Sequence, residues 1–317
     1  MKILIIPDFH YGRYSTKSIE EGLLAVQKQI IDTCLKYKIQ KVFFIGDLVR
    51  KKDLLRMDLQ VLLELKEFLS LIRSRAFPVE IYSISGNHDQ FQDNFFVNEV
   101  HYEHEFSHRY KRRFSSSKSV IDLLPIESID NDAEFLASNQ YIHGVPFYRE
   151  SNDFMKWIEK IDWNFYDGKT NILLCHQTPK GSGYESSDMV DFTLPIFRKF
   201  TAIYVGHIHQ PAEFLNVIQT GSCLACKSNE QGQKYLYVFD TDIMENESIK
   251  IDFQVSYDNQ IQTIKKDTQI SSKLKSKESI FDIEKGIESY SETQAKKEKA
   301  LWYGKNLYNK NIKPTQK

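Results

Sequence analysis

The sequence predicts an α/β fold in which two β-sheets pack face to face and helices cover the outside. Two features of its 317 residues predict this. In the first third of the chain, short apolar runs alternate with segments of helical periodicity, an order typical of parallel strands joined by helices. After residue 116, strand-like segments dominate and only one clear helical segment intervenes, so we expect a second sheet to pack on the first.

Three strands and two helices are predicted before residue 85. Residues 2–6 (KILII) are an apolar run that ends at Pro7, which is the pattern of a buried strand. Ile19, Leu23 and Val26 begin a helical spacing of apolar residues that predicts an amphipathic helix. In order, the elements are a strand at 2–6, a helix at 19–37, a strand at 41–45, a helix at 54–72 and a strand at 79–84.

The rest of the chain predicts mainly strands. Residues 90–115 mix polar and aromatic side chains and are interpreted as a loop–helix insertion, and one further helix is predicted near 152–160. The predicted strands lie at 118–124, 140–143, 170–175, 201–205, 213–218, 234–239 and 249–255.

Composition excludes several classes of protein. Hydrophobic residues make up 41% and charged residues 27% of the chain, a globular balance that excludes wholesale disorder. No apolar run approaches the roughly 18 residues that span a bilayer, and no secretory signal is recognised, so we expect no membrane association and a cytoplasmic location, in a bacterium or an infected host cell. Four cysteines are too few for a disulfide scaffold.

The charge of the chain is unevenly distributed. Residues 265–317 contain 13 Lys, no Arg and 7 acidic residues, whereas the whole chain has a net charge of −1. A basic tail on an acidic body suits an anionic partner, and a solvated extension is an equally good reading. The predicted organisation is a catalytic domain at 1–258, a polar linker at 259–279 and a basic C-terminal extension at 280–317 with possible partner-binding helices.

Five short polar motifs each follow a predicted strand. In a parallel α/β sheet, the loops after the carboxyl ends of the strands gather at one edge, where ligands bind. The motifs are Asp8-Phe9-His10, Gly46-Asp47, Gly86-Asn87-His88-Asp89, His176 and Gly206-His207-Ile208-His209.

Together the motifs predict a metal site. Imidazole nitrogens and carboxylate oxygens bind Mn, Fe or Zn without any thiolate. Seven such ligands exceed what one ion needs, and two ions that share a carboxylate are the usual arrangement for phosphate-ester hydrolysis. A lone histidine is more often a buried structural residue, but five motifs in this order favour a site.

The motifs in this order resemble those of the calcineurin-like metallophosphoesterase superfamily, over about residues 1–240. The resemblance implies a four-layer α/β/β/α sandwich. It also implies Asp47 and His88 as catalytic residues, with His88 as an acid or phosphate contact. The implied ligands are Asp8, His10 and His209 for the first ion, Asn87, His176 and His207 for the second, and Asp47 as the bridge.

The flanks of the motifs look most like the Mre11/SbcD nuclease branch. Residues 171–179 (NILLCHQTP) and 204–211 (YVGHIHQP) resemble the fourth and last motifs of that branch. Protein phosphatases are disfavoured, because Gly-Asp-Leu-Val-Arg stands where they carry Gly-Asp-x-Val-Asp-Arg-Gly. The resemblance implies a DNA exo- or endonuclease with two Mn²⁺ ions, a homodimer, and a Rad50/SbcC-like SMC-type ATPase as partner.

Basic residues near the motifs are candidate phosphate or DNA contacts. Arg50 stands where many members of the branch carry a histidine, and arginine contacts phosphate but does not transfer a proton at neutral pH. A basic run with interleaved aromatics suits a nucleic-acid backbone, although a solvated loop is at least as good a reading. The candidates are Arg50, Arg109, Lys111, Arg112 and Arg113.

Two other functions stay open at this point. One is a phosphodiesterase or phosphatase acting on a small nucleotide or phosphorylated metabolite. The other is a non-catalytic DNA-binding or scaffold subunit, which we rank last because every predicted ligand is present.

Overall fold

Alternation of side chains along the strands explains how the sheets of the computed structural model pack. The structure describes residues 1–14, 16–50, 59–75, 78–90, 119–136 and 139–257. In the strand Lys2–Ile6, Leu4 and Ile6 belong to one apolar cluster and Ile3 and Ile5 to another. Because successive side chains of a strand point to opposite faces, this strand is buried on both sides.

Twelve strands form two six-stranded mixed sheets within the described part of the chain. Their strands are β1 (Lys2–Ile6), β2 (Lys41–Ile45), β3 (Glu80–Ile84), β4 (Glu127–Ser128), β5 (Asp132–Phe135), β6 (Gln140–Val145), β7 (Thr170–His176), β10 (Ala202–Gly206), β11 (Ala212–Phe214), β12 (Val217–Gln219), β13 (Tyr235–Asp240) and β14 (Glu245–Lys250). The first sheet has the order β14-β13-β1-β2-β3-β4, and the second has the order β11-β12-β10-β7-β6-β5. A separate two-stranded sheet pairs β8 (Thr178–Pro179) with β9 (Met189–Val190).

Helices cover the outer face of each sheet. Helix α1 (Lys17–Tyr37) and helix α2 (Leu59–Arg75) bury apolar residues against the first sheet. Helix α3 (Ser151–Lys160) packs Phe154 and Ile158 against the second sheet, and a short helix α4 (Trp163–Tyr166) follows it. A third cluster, which includes Phe43 and Tyr204, lies between the two sheets. The layers are therefore α/β/β/α, which confirms the predicted fold class.

Parallel pairing places the carboxyl ends of the central strands at one edge. In the first sheet β2 runs parallel to both β1 and β3, and in the second β7 runs parallel to both β6 and β10. Each fully buried aliphatic side chain in these strands contributes about 1.5–3 kcal/mol of stability. The loops that follow the strands are therefore anchored to firmly packed elements.

Three predicted strands differ from the structure. The stretch predicted as a strand at 118–124 contains a 3-10 turn at Val120–Leu123, because Ser119 and Asp122 form a reciprocal capping box at its start. The strand predicted at 213–218 is a hairpin of β11 and β12, whose exposed turn residue Leu215 has φ 53°. The strand predicted at 249–255 lies at Glu245–Lys250, where it pairs with β13 after a tight turn.

Several predictions are not tested by these elements. The start of the helix predicted at 54–72, most of the 90–115 insertion and all of the extension beyond 257 lie outside the described residues. The division into 1–258, 259–279 and 280–317 therefore stays a prediction. Among the helices of the described residues, none is long and apolar enough to cross a bilayer.

Candidate metal centre

The seven predicted ligands meet at the carboxyl edge of the two sheets. Asp8 and His10 follow β1, Asp47 follows β2, and Asn87 follows β3. The remaining three, His176, His207 and His209, end β7 or follow β10 in the second sheet. The site is thus built from both sheets, and no single sheet supplies all of its ligands.

The first group of candidate ligands is Asp8, His10, Asp47 and His209. One ligand atom from each of these side chains lies within 4.8 Å of all the others. His10 Nε2 is 2.9 Å from His209 Nε2 and 3.5 Å from Asp47 Oδ2. His209 Nε2 is 3.7 Å from Asp8 Oδ2. Two imidazoles and two carboxylates therefore face one point.

The second group is Asp47, His176 and His207, joined by Asn87. The ligand atoms of Asp47, His176 and His207 also lie within 4.8 Å of one another. Asn87 Oδ1 lies 3.3 Å from His176 Nε2 and 3.1 Å from His207 Nδ1. His176 Nδ1 donates to the carbonyl oxygen of Ile45 at 2.9 Å, which leaves Nε2 turned to the site.

Asp47 belongs to both groups. Its Oδ1 is 3.4 Å from His176 Nε2 and its Oδ2 is 3.5 Å from His10 Nε2. The backbone N–H of His88 donates to Asp47 Oδ1 at 2.7 Å, which fixes the orientation of the carboxylate. Asp47 is therefore placed to be shared by two ions.

The backbone at the site is held in an uncommon conformation. His10, Asp47 and His207 have φ values of 47°, 46° and 89°, in the left-handed region that non-glycine residues rarely adopt. Such strain persists only where the surrounding structure enforces it, and it clusters at functional sites. Gly46 precedes Asp47 at φ 94°, a conformation that favours glycine at this turn.

Burial and neighbouring charges shift the pKa values of the ligands. Burial raises the pKa of Asp8 to about 6, although His176 opposes the shift. Burial lowers the pKa of His10 to about 3. Burial acts to lower the pKa of His176, but the carboxylates of Asp47 and Asp8 raise it to about 10. Burial also acts to raise the pKa of Asp47, but His176 and the other histidines hold it well below its usual range.

The residue after His88 supports the loop that carries Asn87. Asp89 is fully buried and accepts hydrogen bonds from the backbone N–H groups of Gly86, Leu48 and Val49 at 2.9, 3.2 and 3.1 Å. Burial and then the charge of Asp47 raise the pKa of Asp89 to about 7. The side chain ties the loop after β3 to the loop after β2.

His88 lies beside the two groups and is the candidate proton donor. Its Nδ1 is 2.5 Å from the carbonyl oxygen of Arg50, so Nδ1 carries a proton. Its Nε2 lies 4.0 Å from Asp47 Oδ2, and the side chain is 30% exposed. Nε2 is therefore turned toward the site and reachable from solvent.

The Arg50 side chain is held by two residues of the loop after β1. Its guanidinium carbon lies 4.0 Å from the centre of the Tyr14 ring, and its Nη1 donates to the carbonyl oxygen of Arg13 at 2.5 Å. The side chain is exposed, so Arg50 presents a positive charge to solvent beside this loop. Four other predicted contacts, Arg109, Lys111, Arg112 and Arg113, lie outside the described residues.

Three residues at the site were not predicted. Glu230 Oε1 lies 2.9 Å from His209 Nδ1, and Asp188 Oδ2 lies 3.6 Å from His207 Nε2. The half-buried ring of Phe147 stands 5.3 Å from the ring of His207. None of the three belongs to a ligand motif, so the spacing of motifs gave no signal for them.

The donor set fits two divalent cations. Carboxylate, amide and imidazole donors without thiolate suit Mn, Fe or Zn. Asp47 is common to both groups, which is the arrangement of a two-metal site with a shared carboxylate. The clusters are therefore consistent with a dinuclear metal centre.

Comparisons with known proteins agree with this chemistry at the level of the family. Residues 1–211 match the calcineurin-like phosphoesterase family. No curated protein matches the chain. Among solved structures, an archaeal phosphodiesterase is similar at 13% identity and a TM-score of 0.35, covering 79% of this chain and 99% of that one. GAP50, the anchor in the inner membrane complex of Plasmodium, is similar at 11% identity and a TM-score of 0.46, covering 81% of this chain and 87% of that one.

Proposed function

The chain belongs to the calcineurin-like phosphoesterase family and is a metal-dependent phosphoesterase, and from that premise we propose that it is a DNA nuclease subunit of the Mre11/SbcD type. The observation that carries the enzymatic part is the meeting of seven ligands around a shared Asp47. The nuclease part is supported by the branch-like segments 171–179 and 204–211, which supply His176, His207 and His209.

The proposed ligand sets follow the two groups. Asp8, His10 and His209 would hold one ion, and Asn87, His176 and His207 would hold the other, with Asp47 shared by both sets. When bound, a pair of divalent ions lowers the pKa of water and offsets negative charge on phosphoryl oxygens. We propose Mn²⁺ as the working pair.

Residues of the chain supply the remaining parts of the reaction. The carbonyl of Arg50 accepts a hydrogen bond from His88 Nδ1–H, so Nε2 would give a proton to the leaving oxygen from the imidazolium form, in which both ring nitrogens are protonated, and the ring would be left neutral. The His88 backbone N–H keeps Asp47 oriented while this happens. The Arg50 guanidinium, which is stacked on Tyr14, offers a positive charge for a phosphate of a polyanion.

The partners are also proposals. We propose a homodimer that binds an SMC-type ATPase through the basic C-terminal extension. The excess of lysine from residue 265 onward agrees with this role. A phosphorylated or nucleic-acid partner would be attracted by the same charge.

The test is hydrolysis of DNA by the purified full-length protein with Mn²⁺. We expect cleavage of single-stranded or hairpin DNA, and we expect Asp47→Asn and His88→Ala to reduce it by at least about 10²-fold. As a matched control, Asp191→Asn changes a half-buried carboxylate that contacts Lys180, and it leaves cleavage intact. DNA that stays intact with and without an SMC-type ATPase would overturn the nuclease proposal.

The second candidate is a phosphodiesterase for a small nucleotide. Arg50 favours it, because the branch histidine is missing and the arginine side chain is stacked on Tyr14. Hydrolysis of a nucleotide diester by a protein that leaves DNA untouched would select this candidate.

A further inference from the structure

We propose that Glu230 and Asp188 are positioning residues of the metal centre, one for each ion, and that they act through His209 and His207. The inference rests on the proposed ligand sets and adds two residues to them. Both carboxylates lie on the side of their histidine that faces away from the other ligands. They come from different segments of the chain, one before β13 and one before β9.

Glu230 is anchored by one oxygen and presents the other to His209. Its Oε2 accepts backbone hydrogen bonds from Cys226 at 2.8 Å and Lys227 at 3.2 Å. Its Oε1 lies 2.9 Å from His209 Nδ1, at ion-pair distance but without the alignment of a full hydrogen bond. Glu230 is only 7% exposed, so little water competes for this contact.

The backbone of His209 is held as firmly as its ring. The buried Lys234 donates from Nζ to the carbonyl oxygen of His209 at 2.7 Å. With the backbone fixed by Lys234 and Nδ1 facing Glu230, Nε2 is left to face His10 and Asp8. The ring therefore reaches the first group in one orientation.

Asp188 stands in the same relation to His207. Its Oδ2 accepts from the backbone N–H of Thr178 at 3.0 Å and from Thr178 Oγ1 at 2.7 Å, and it lies 3.6 Å from His207 Nε2. Asp188 is 5% exposed. The opposite nitrogen, Nδ1, faces Asn87 Oδ1 at 3.1 Å. The two histidines of the Gly-His-x-His motif thus turn opposite ring nitrogens to the site.

A carboxylate on the outer nitrogen of an imidazole has two effects on a metal ligand. Its negative charge favours the tautomer with the proton on that outer nitrogen, so the lone pair of the inner nitrogen faces the metal, and it makes the inner nitrogen more basic. Loss of such a partner weakens metal binding by about 10–100-fold. Glu230 lies beside His209 and Asp188 lies beside His207. Removal of either carboxylate should therefore weaken the binding of a different ion.

The experiment measures metal binding instead of turnover. Metal-free protein, prepared with a chelator, is titrated with Mn²⁺ by calorimetry, and bound manganese is counted after gel filtration. The variants are Glu230→Gln and Asp188→Asn, because each amide keeps an oxygen for the backbone N–H groups. Asp191→Asn is the matched control, because its half-buried carboxylate contacts Lys180 and Thr193, which are not proposed ligands.

We expect two sites in the wild type and in the control. Each variant is expected to weaken one site by about 10–100-fold and to leave the other within a factor of about three. The double variant weakens both. Glu230→Asp, which keeps the charge but withdraws it by one methylene, serves as a second variant and is expected to weaken the same site as Glu230→Gln.

Other outcomes overturn the inference. Variants that bind two manganese ions with wild-type affinity would show that the carboxylates do not position the ligands. A lower unfolding temperature of the metal-free variant with unchanged affinity would assign them a structural role. A wild-type protein that binds no metal would instead refute the ligand sets of the proposed function.

Discussion

Substitution of Gly86 by alanine tests how closely the loops of the metal centre approach each other. Gly86 lies directly before Asn87, and its φ is not in the left-handed region, so alanine fits the local backbone. An added Cβ would lie 2.2 Å from Asp47 N and 2.3 Å from Asp47 Oδ1, whereas ordinary contact begins at 3.4 Å. It would also lie 2.9 Å from His176 Cε1. Asp47 must therefore move by roughly 1 Å.

That displacement has a large effect on the site and a smaller one on the fold. Overpacking of this kind costs about 1–3 kcal/mol of unfolding free energy. Metal ligands tolerate only about 0.2 Å of error, and a misplacement of about 1 Å reduces activity by about 10²-fold. Because Asp47 belongs to both groups, we expect Gly86→Ala to lose affinity for both ions.

The assay combines manganese content with the rate of hydrolysis of bis(p-nitrophenyl) phosphate. Gly168→Ala is the control, because Gly168 has φ +67° and no atom within 4 Å of an added Cβ. Gly168→Ala should lower the unfolding free energy by about 1–2 kcal/mol through backbone strain, and it should move no ligand. If Gly86→Ala retained two manganese ions and the wild-type rate, the close approach of these loops would not govern the site.

Three further predictions concern protons, the supporting loop and the rim. Burial acts to lower the pKa of His176, but Asp47 and Asp8 raise it to about 10, so Mn²⁺ binding near pH 7 should expel its proton. Affinity should then rise with pH toward about 10, and calorimetric heats that do not depend on the ionisation enthalpy of the buffer would contradict this. Asp89→Ala leaves three buried backbone N–H groups without their acceptor, so urea unfolding should show a loss of about 2–5 kcal/mol, with a smaller loss for Asp89→Asn. Arg50→His introduces the histidine that many members of the Mre11/SbcD branch carry, and a proton donor there should raise exonucleolytic cleavage by about tenfold or more. An unchanged rate of nucleotide release would argue against that role.

The strands that could be predicted were those buried on both faces. In β1, β2, β7 and β10, both alternating sets of side chains are apolar, so each strand appears as a continuous apolar run. The edge strand β14 (ENESIK) is largely exposed and carries no such signal, and its register follows from the turn after β13. Hydrophobicity therefore located the centre of each sheet but not its edges.

The sequence and the tertiary structure determined different features of the site. The sequence alone determined the ligand types and their position after strands, because side chains at the carboxyl ends of parallel strands must share an edge. The resemblance implied Asp47 as the bridge, and the tertiary structure placed side chains from both sheets around it. Only the tertiary structure decided that Glu230 and Asp188 stand behind two of the histidines. Those contacts depend on how separate segments pack, and no spacing along the chain encodes a packing distance.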